Sequence, residues 1–344
     1  MERVYGAWWF VATWGLLVAS AFSYIFRRSL HRRGRAAFVF HVALGVILAG
    51  ALITFLSAER GYLHLRQGET LASYAPEGGG SERPLPFEVK LVLFDIEYHP
   101  GTSDPADFIS FLRVDGEMCR VSMNAIHSRQ GYCLCQFSHD PDEMGSTLLV
   151  NHDPWGIGVT HAGYLLLAFA MGWLSWLRAG WRWILRVLFP LAGVWIYIAC
   201  LDPVTPVLRS PMLAAHVSVI VISYALLLFI AVTGVVALAR RRWRDRLYRL
   251  NVRLLYPALF LLAAGIFTGA AWANISWGRY WGWDAKETWA LITLLLYALP
   301  LHGASLPAFR DPVKFHLFCA CALLAVAMTF FGVTYFLGGL HAYV

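Results

Sequence analysis

Charge is what this sequence has least of. Only 14% of its 344 residues are Asp, Glu, Lys or Arg, against roughly a quarter in a soluble domain. With 58% hydrophobic residues beside it, that scarcity excludes a disordered chain, a fibre and an ordinary soluble enzyme. The six cysteines include no CxxC pair and no CxxCH haem-attachment signature. Cys133 and Cys135 form a CxC, which in a strand puts both thiols on one face, and packing is the plain reading. No small-residue cleavage site follows the first apolar stretch, so it is expected to stay as a helix and not to be a removed signal peptide.

Apolar length is abundant instead. A bilayer span takes about 20 mostly apolar residues, and eight stretches qualify: 7–26, 37–57, 157–177, 183–201, 213–239, 254–273, 287–303 and 315–337. The expected fold class is an α-helical polytopic membrane protein of about eight transmembrane helices, with one small extracytoplasmic β-rich domain. The domains read as a transmembrane hairpin at 1–57, the β-rich domain at 58–155 and a six-helix membrane domain at 156–344.

Acidic residues are nearly absent from four short loops, and this sets the orientation. One loop holds Arg27, Arg28, Arg32, Arg33 and Arg35; the next holds Arg178, Arg182 and Arg186. The 240–253 loop holds Arg240, Arg241, Arg242, Arg244, Arg246, Arg249 and Arg253, and the last holds Arg310 and Lys314. All four alternate onto one side, read as the cytoplasm of a bacterial inner membrane. Both termini and the β-rich stretch then fall outside. The formal net charge of +7 is therefore a loop asymmetry, and the expected partner is the lipid bilayer, with no nucleic acid.

The outer stretch is acidic and rich in β formers. Phe87 to Tyr98 partly alternates, and Phe108 to Val114 and Ser146 to Asn151 read as further strands. Gly78-Gly79-Gly80 reads as a flexible connector. His64, His99, His127, His139 and His152 are expected on the surface of this domain.

Ionisable residues in or near a span are functional candidates by default. His41 and His302 lie at the cytoplasmic ends of spans two and seven. His216 and His341 lie at the outer ends of spans five and eight. Topology thus sorts four histidines into two pairs at two depths. Imidazole is an axial ligand of haem iron, and two complete its six-coordination; a hydrogen-bonded interface residue is the rival reading of each. His161 and His316 have no evident partner.

Trp272 to Trp289 reads WANISWGRYWGWDAKETW, and holds Trp272, Trp277, Trp281, Trp283 and Trp289 of the fifteen tryptophans. As a loop at 272–289, these rings form a surface on which a flat apolar ligand can stack. Arg279 and Lys286 suit carboxylates of that ligand. Asp284 and Glu287 fit a capping box opening the next span.

WGRYWGWDAKETWA closely resembles the WWD signature of haem-handling proteins in cytochrome c biogenesis, and within that superfamily the system II cytochrome c synthase. His216, opening HVSVIVISYALLL, resembles the family's first external haem histidine, and His341 in FLGGLHAYV resembles the second. His302 resembles the transmembrane histidine of the same CcsA-like subunit. FHVALGVILAGALITF carries His41 where the partner subunit, of the ResB/CcsB type, has its transmembrane haem histidine. GYLHLRQGET, LPFEVKLVLFDIEY, VSMNAIHSRQGYCLCQFSHD and LLVNHDPWG resemble that subunit's outer domain. The whole resembles a compact CcsBA-type fusion. It departs from the family in Ala285, where Pro is usual, and in having fewer spans than typical fusions.

The resemblance implies a holocytochrome c synthase (cytochrome c haem lyase). It implies that haem b passes from the cytoplasmic side outward, held by His41 and His302 within the membrane. At the outer face it implies ligation by His216 and His341 against the tryptophan segment. The partner implied is apocytochrome c, whose CxxCH thiols add to the haem vinyl groups, so the chain needs no catalytic nucleophile of its own. Thioredoxin-like partners would reduce those thiols. The alternative readings are a haem exporter or chaperone serving a separate ligase, and a bis-His cytochrome b.

Overall fold

The computed structural model describes residues 7–27, 34–98, 101, 103, 105–123, 125–179 and 211–337. The expected span 183–201, and with it His31, His99 and His341, lie outside the described residues. The helices are α1 (Trp8–Arg27), α2 (Arg35–Ser57), α3 (Gly156–Ala179), α4 (Pro211–Ala239), α5 (Arg244–Trp277), α6 (Ala285–Ala298) and α7 (Pro312–Ala327). Between α2 and α3 stand eight strands: β1 (Glu59–Arg66), β2 (Thr70–Pro76), β3 (Arg83–Tyr98), β4 (Pro105–Val114), β5 (Glu117–Ser122), β6 (His127–Arg129), β7 (Tyr132–His139) and β8 (Gly145–His152). This is a polytopic helical membrane protein carrying a β domain.

Lipid offers no hydrophobic drive between helices, so close approach at small residues takes its place. In the α2–α3 pair, Gly50 lies against Thr160 and Gly163 against Ile47. In the α4–α5 pair, Gly265 lies against Ile220 and Gly269 against the His216 ring. Gly265 and Gly269 are four residues apart, on one face of α5. Around this pair, Leu227, Ile230, Leu255, Ala258, Tyr297 and Phe315 form a fully buried core.

Six described helical stretches are long and apolar enough to cross a membrane, fewer than the eight expected. The α6 stretch has only 14 residues but continues as a 3-10 helix, Leu299–His302. At about 1.5 Å and 2.0 Å per residue the two together reach roughly 29 Å, close to the hydrocarbon thickness. The α7 stretch continues as a π-helix, Met328–Leu337. The basic 240–253 segment is not a loop. It forms a 3-10 turn, Arg241–Trp243, and the first turns of α5. Arginine is a good helix former, and its long stem lets the charge stay in water. Arg244 also reaches back to the last carbonyls of α4, at Ala237 and Leu238 (both 3.4 Å), where a cation is favourable.

The strands form one antiparallel sheet in the order β5-β4-β3-β2-β1-β8-β7-β6, curled into a barrel-like domain. Alternate residues face its core: Leu63 and Leu65, Val89 and Leu91, Leu112 and Val114, Leu148 and Val150 are all buried. The 78–80 connector joins β2 to β3, with Gly79 and Gly80 at positive φ. Not all the histidines are surface groups. The His139 ring lies stacked against Phe94 and Phe108, each with centres 5.1 Å apart, and His127 Nε2 is buried.

The barrel is joined to the helices by two short links. Ala58 alone separates α2 from β1, and residues 153–155 separate β8 from α3. Asp153 ties the two links together. One carboxylate oxygen accepts from the Gly156 amide at the start of α3 (2.8 Å), and the other from the Thr54 hydroxyl near the end of α2 (2.6 Å).

Candidate functional site

On the membrane face opposite the barrel, His41 and His302 meet. Their ring centres are 6.1 Å apart, with the planes at 84°. Tyr24 and Ser305, hydrogen-bonded at 2.8 Å, lie on the same face. His41 Nδ1 lies 2.6 Å from the Ala37 carbonyl, and His302 Nδ1 lies 2.9 Å from the Ala298 carbonyl. A carbonyl only accepts, so Nδ1 carries the proton in both rings and Nε2 keeps its lone pair. That is the usual way a metal-ligating imidazole is oriented. Two imidazoles are too few for a closed zinc site, and they match the axial demand of a haem iron.

On the barrel side, the tryptophan segment is less of a loop than its sequence suggests. Trp272 and Trp277 belong to the last turns of α5, Trp289 belongs to α6, and only residues 278–284 are non-helical. Trp272 is 3% exposed, inside the bundle and not on an open surface. Rings meet edge to face: Trp272 with Trp277 at 5.0 Å, Trp281 with Trp283 at 5.8 Å. Burial explains the difference, since apolar rings at the end of α5 gain more from the bundle than from water. Trp283 has φ 54°, a region costly for a bulky residue. It is held there by α1, through Phe10 (5.2 Å) and Trp14 (6.4 Å).

The expected capping box is present at α6. Asp284 accepts from the Lys286 amide (3.0 Å), and Glu287 accepts from the amides of Gly282 (2.9 Å) and Asp284 (3.1 Å). These two acids are thereby occupied in shaping the turn. Ala285 fills the first helical position, where its lack of a branched side chain is no obstacle.

The barrel docks on this segment. Gly278 ends α5 in the left-handed conformation, φ 67°. A Cβ there would stand 2.9 Å from Cys135 Sγ, and the Gly278 carbonyl accepts from Asn151 Nδ2. Cys133 and Cys135 are indeed on one face of β7, the face turned outward from the barrel core. Burial pushes the Cys135 thiol up to about 12, so it is packing and not a reactive nucleophile. Arg279 lies beside Gly282, and its charge reaches Cys135 and Arg60 of β1.

His216 lies on α4 with Nδ1 2.7 Å from the Gly265 carbonyl, so here too Nε2 is the nitrogen with the lone pair. Its expected partner His341 is outside the described residues. His161, left without a partner by the sequence, meets Tyr280 of the tryptophan segment: Nδ1 and the phenol oxygen are 2.7 Å apart. Tyr280 is buried against Tyr164 as well. His316 is fully buried in α7, with Nδ1 unpartnered and Nε2 3.4 Å from the Arg244 carbonyl.

A membrane helix bundle with a β barrel seated on a tryptophan-rich turn, and a histidine pair at the opposite face, defines the class: a polytopic membrane protein with a β domain. The chain belongs to the cytochrome c assembly protein family, whose model matches residues 159–341. The ResB-like family matches residues 31–152, so a ResB-like module is followed by a cytochrome c assembly module in one chain. The chain is 39% identical over 171 residues to Protein NrfI of Wolinella succinogenes, across 44% of this chain and 19% of that protein. It is 35% identical over 153 residues to cytochrome c biogenesis protein CcsA of Chlamydomonas reinhardtii, across 41% of this chain and 43% of that one. To CcsA of Synechococcus sp. (strain CC9902) it is 32% identical over 179 residues, across 41% of this chain and 58% of that one. The chain thus covers less than two thirds of each of these relatives.

Proposed function

We propose that this protein carries haem b across a bacterial inner membrane and joins it to the CxxCH segment of apocytochrome c on the barrel side. The observation that carries this reading is the His41–His302 contact. It brings together imidazoles 261 positions apart, one from each family module, both with Nε2 available. On this reading the pair holds haem at the cytoplasmic face, and haem then passes to the tryptophan segment. There His216 and His341 take the iron, the half-buried rings of Trp277, Trp281, Trp283 and Trp289 pack on the macrocycle, and Arg279 and Lys286 meet its carboxylates. The apocytochrome supplies the nucleophiles. Each S–H adds across a vinyl C=C, sulfur to one carbon and the proton to the other, and no oxidant is consumed. The chain's contribution is orientation. Thioredoxin-like partners keep the substrate thiols reduced.

The test is reconstitution with a CxxCH reporter in a host lacking its own maturation genes. Covalent haem on a denaturing gel is expected from wild type and is expected to be lost in His41→Ala, His302→Ala, His216→Ala and His341→Ala. Added imidazole is expected to restore the first two. Haem that co-purifies without covalent product identifies an exporter or chaperone in place of a synthase. Haem-free protein refutes both.

A further inference from the structure

The seam between barrel and tryptophan segment brings two arginines together. Arg60 stands opposite Asn151 in the β1–β8 register, and Asn151 stands opposite Cys133 in β8–β7. Their sequence neighbours Val150 and Leu134 face the barrel core, so this row faces outward. Asn151 grips the Gly278 carbonyl, which places the row beneath residues 278 and 279. Arg60 is half-buried there. Burial lowers its pKa first, and the Arg279 charge lowers it further.

Among the described residues neither guanidinium has an ion pair or a side-chain hydrogen bond. Two acids, Glu77 and Asp153, act on Arg60 from further off. Asp153 is already committed to Thr54 and Gly156, and Glu77 is exposed. Two like charges held together in a half-buried seam are costly. A pair of guanidinium forks is also the geometry that takes a carboxylate or phosphate with two hydrogen bonds from each.

We propose that Arg60 and Arg279 form a two-arginine receptor for an anionic group at the seam, and that the group is a propionate of haem. The proposal rests on the function given above and deepens it. The β domain then supplies half of the site that holds one end of the ligand, and does more than cover the membrane part.

The test uses the full chain in neutral detergent, titrated with haem and with haem dimethyl ester, whose propionates carry no charge. Wild type is expected to bind haem about tenfold or more tighter than the ester. Arg60→Gln is expected to lose that preference, weakening haem and leaving the ester unchanged, with Arg60→Lys between. Equal weakening of haem and ester in Arg60→Gln overturns the proposal, because the residue is then structural. Unchanged haem binding in that variant also overturns it, while leaving the wider function standing. If wild type binds neither ligand, the function fails together with it. Phosphatidylglycerol is added in a parallel titration. Arg60-dependent binding of that lipid, with no haem-over-ester preference, assigns the receptor to a lipid phosphate and overturns the propionate.

Discussion

Replacing Gly278 by alanine is expected to loosen the seam between barrel and tryptophan segment. The residue has φ 67° and no room for a Cβ, which would stand 2.9 Å from Cys135 Sγ. The left-handed conformation costs a non-glycine residue about 1–2 kcal/mol. Cys135 is 1% exposed and fixed in β7, so it does not simply swing away, and overpacking adds roughly 1–3 kcal/mol. Together the closed seam loses about 2–5 kcal/mol, and the open population rises by roughly 30-fold or more. Cys135 itself reports the opening. In a chain whose other cysteines (Cys119, Cys133, Cys200, Cys319 and Cys321) are replaced by alanine, a maleimide reaches this thiol only when the seam opens. When reclosing is fast, the labelling rate follows the open population. Labelling is expected to accelerate at least 30-fold in Gly278→Ala. A rate within threefold of the parent refutes the reasoning. Asn151→Ala strands the Gly278 carbonyl at a cost of about 1–3 kcal/mol and should accelerate the same reaction, to a smaller extent.

Three further outcomes follow from the same geometry. Gly269→Leu drives a side chain into the His216 ring and is expected to separate α4 from α5, lowering the thermal midpoint of the detergent-solubilised chain by several degrees; Gly15→Leu, with nothing near it, is the control that should leave it unchanged. Asp284→Ala removes the cap and half of the capping box of α6 and should cost about 1 kcal/mol, read as a lower midpoint that Asp284→Asn largely restores. Arg66 bonded to Asp142 (2.7 Å), helped by the Met144 amide, holds that carboxyl below its ordinary value of 3.8. A depressed folded pKa stabilises the barrel above pH 3.8 and ceases to do so as pH falls through the folded value. The midpoint should therefore drop less between pH 5 and pH 3 in Asp142→Asn than in wild type.

The helical membrane part was legible because a span is a local property: about 20 apolar residues announce themselves wherever they fold. Its ends were less so. The arginines from Arg241 to Arg253 read as a loop by charge, yet they are helix formers and continue α5. Strands were legible where alternation is long, as in β3, and not where they are as short as β6. The inner histidine pair followed from topology, because spans of known order fix depth. What did not follow was contact between distant positions. His161 with Tyr280, Phe10 with Trp283 and Cys135 with Gly278 are tertiary events, invisible to periodicity. The CxC spacing placed both thiols on one face but said nothing of what that face meets. The clue available was Gly278 itself, a glycine directly after an apolar helix and inside a tryptophan cluster, where a left-handed cap is common.

The barrel's attachment sets its mechanical freedom. With one residue leading in from α2, three leading out to α3, and Asp153 pinning both, it has no slack with which to lift off as a body. A swing about that edge twists α2 and α3 at their roots. His41 rides on the far end of α2. One helix thus joins the edge of the seam to one member of the histidine pair at the opposite face.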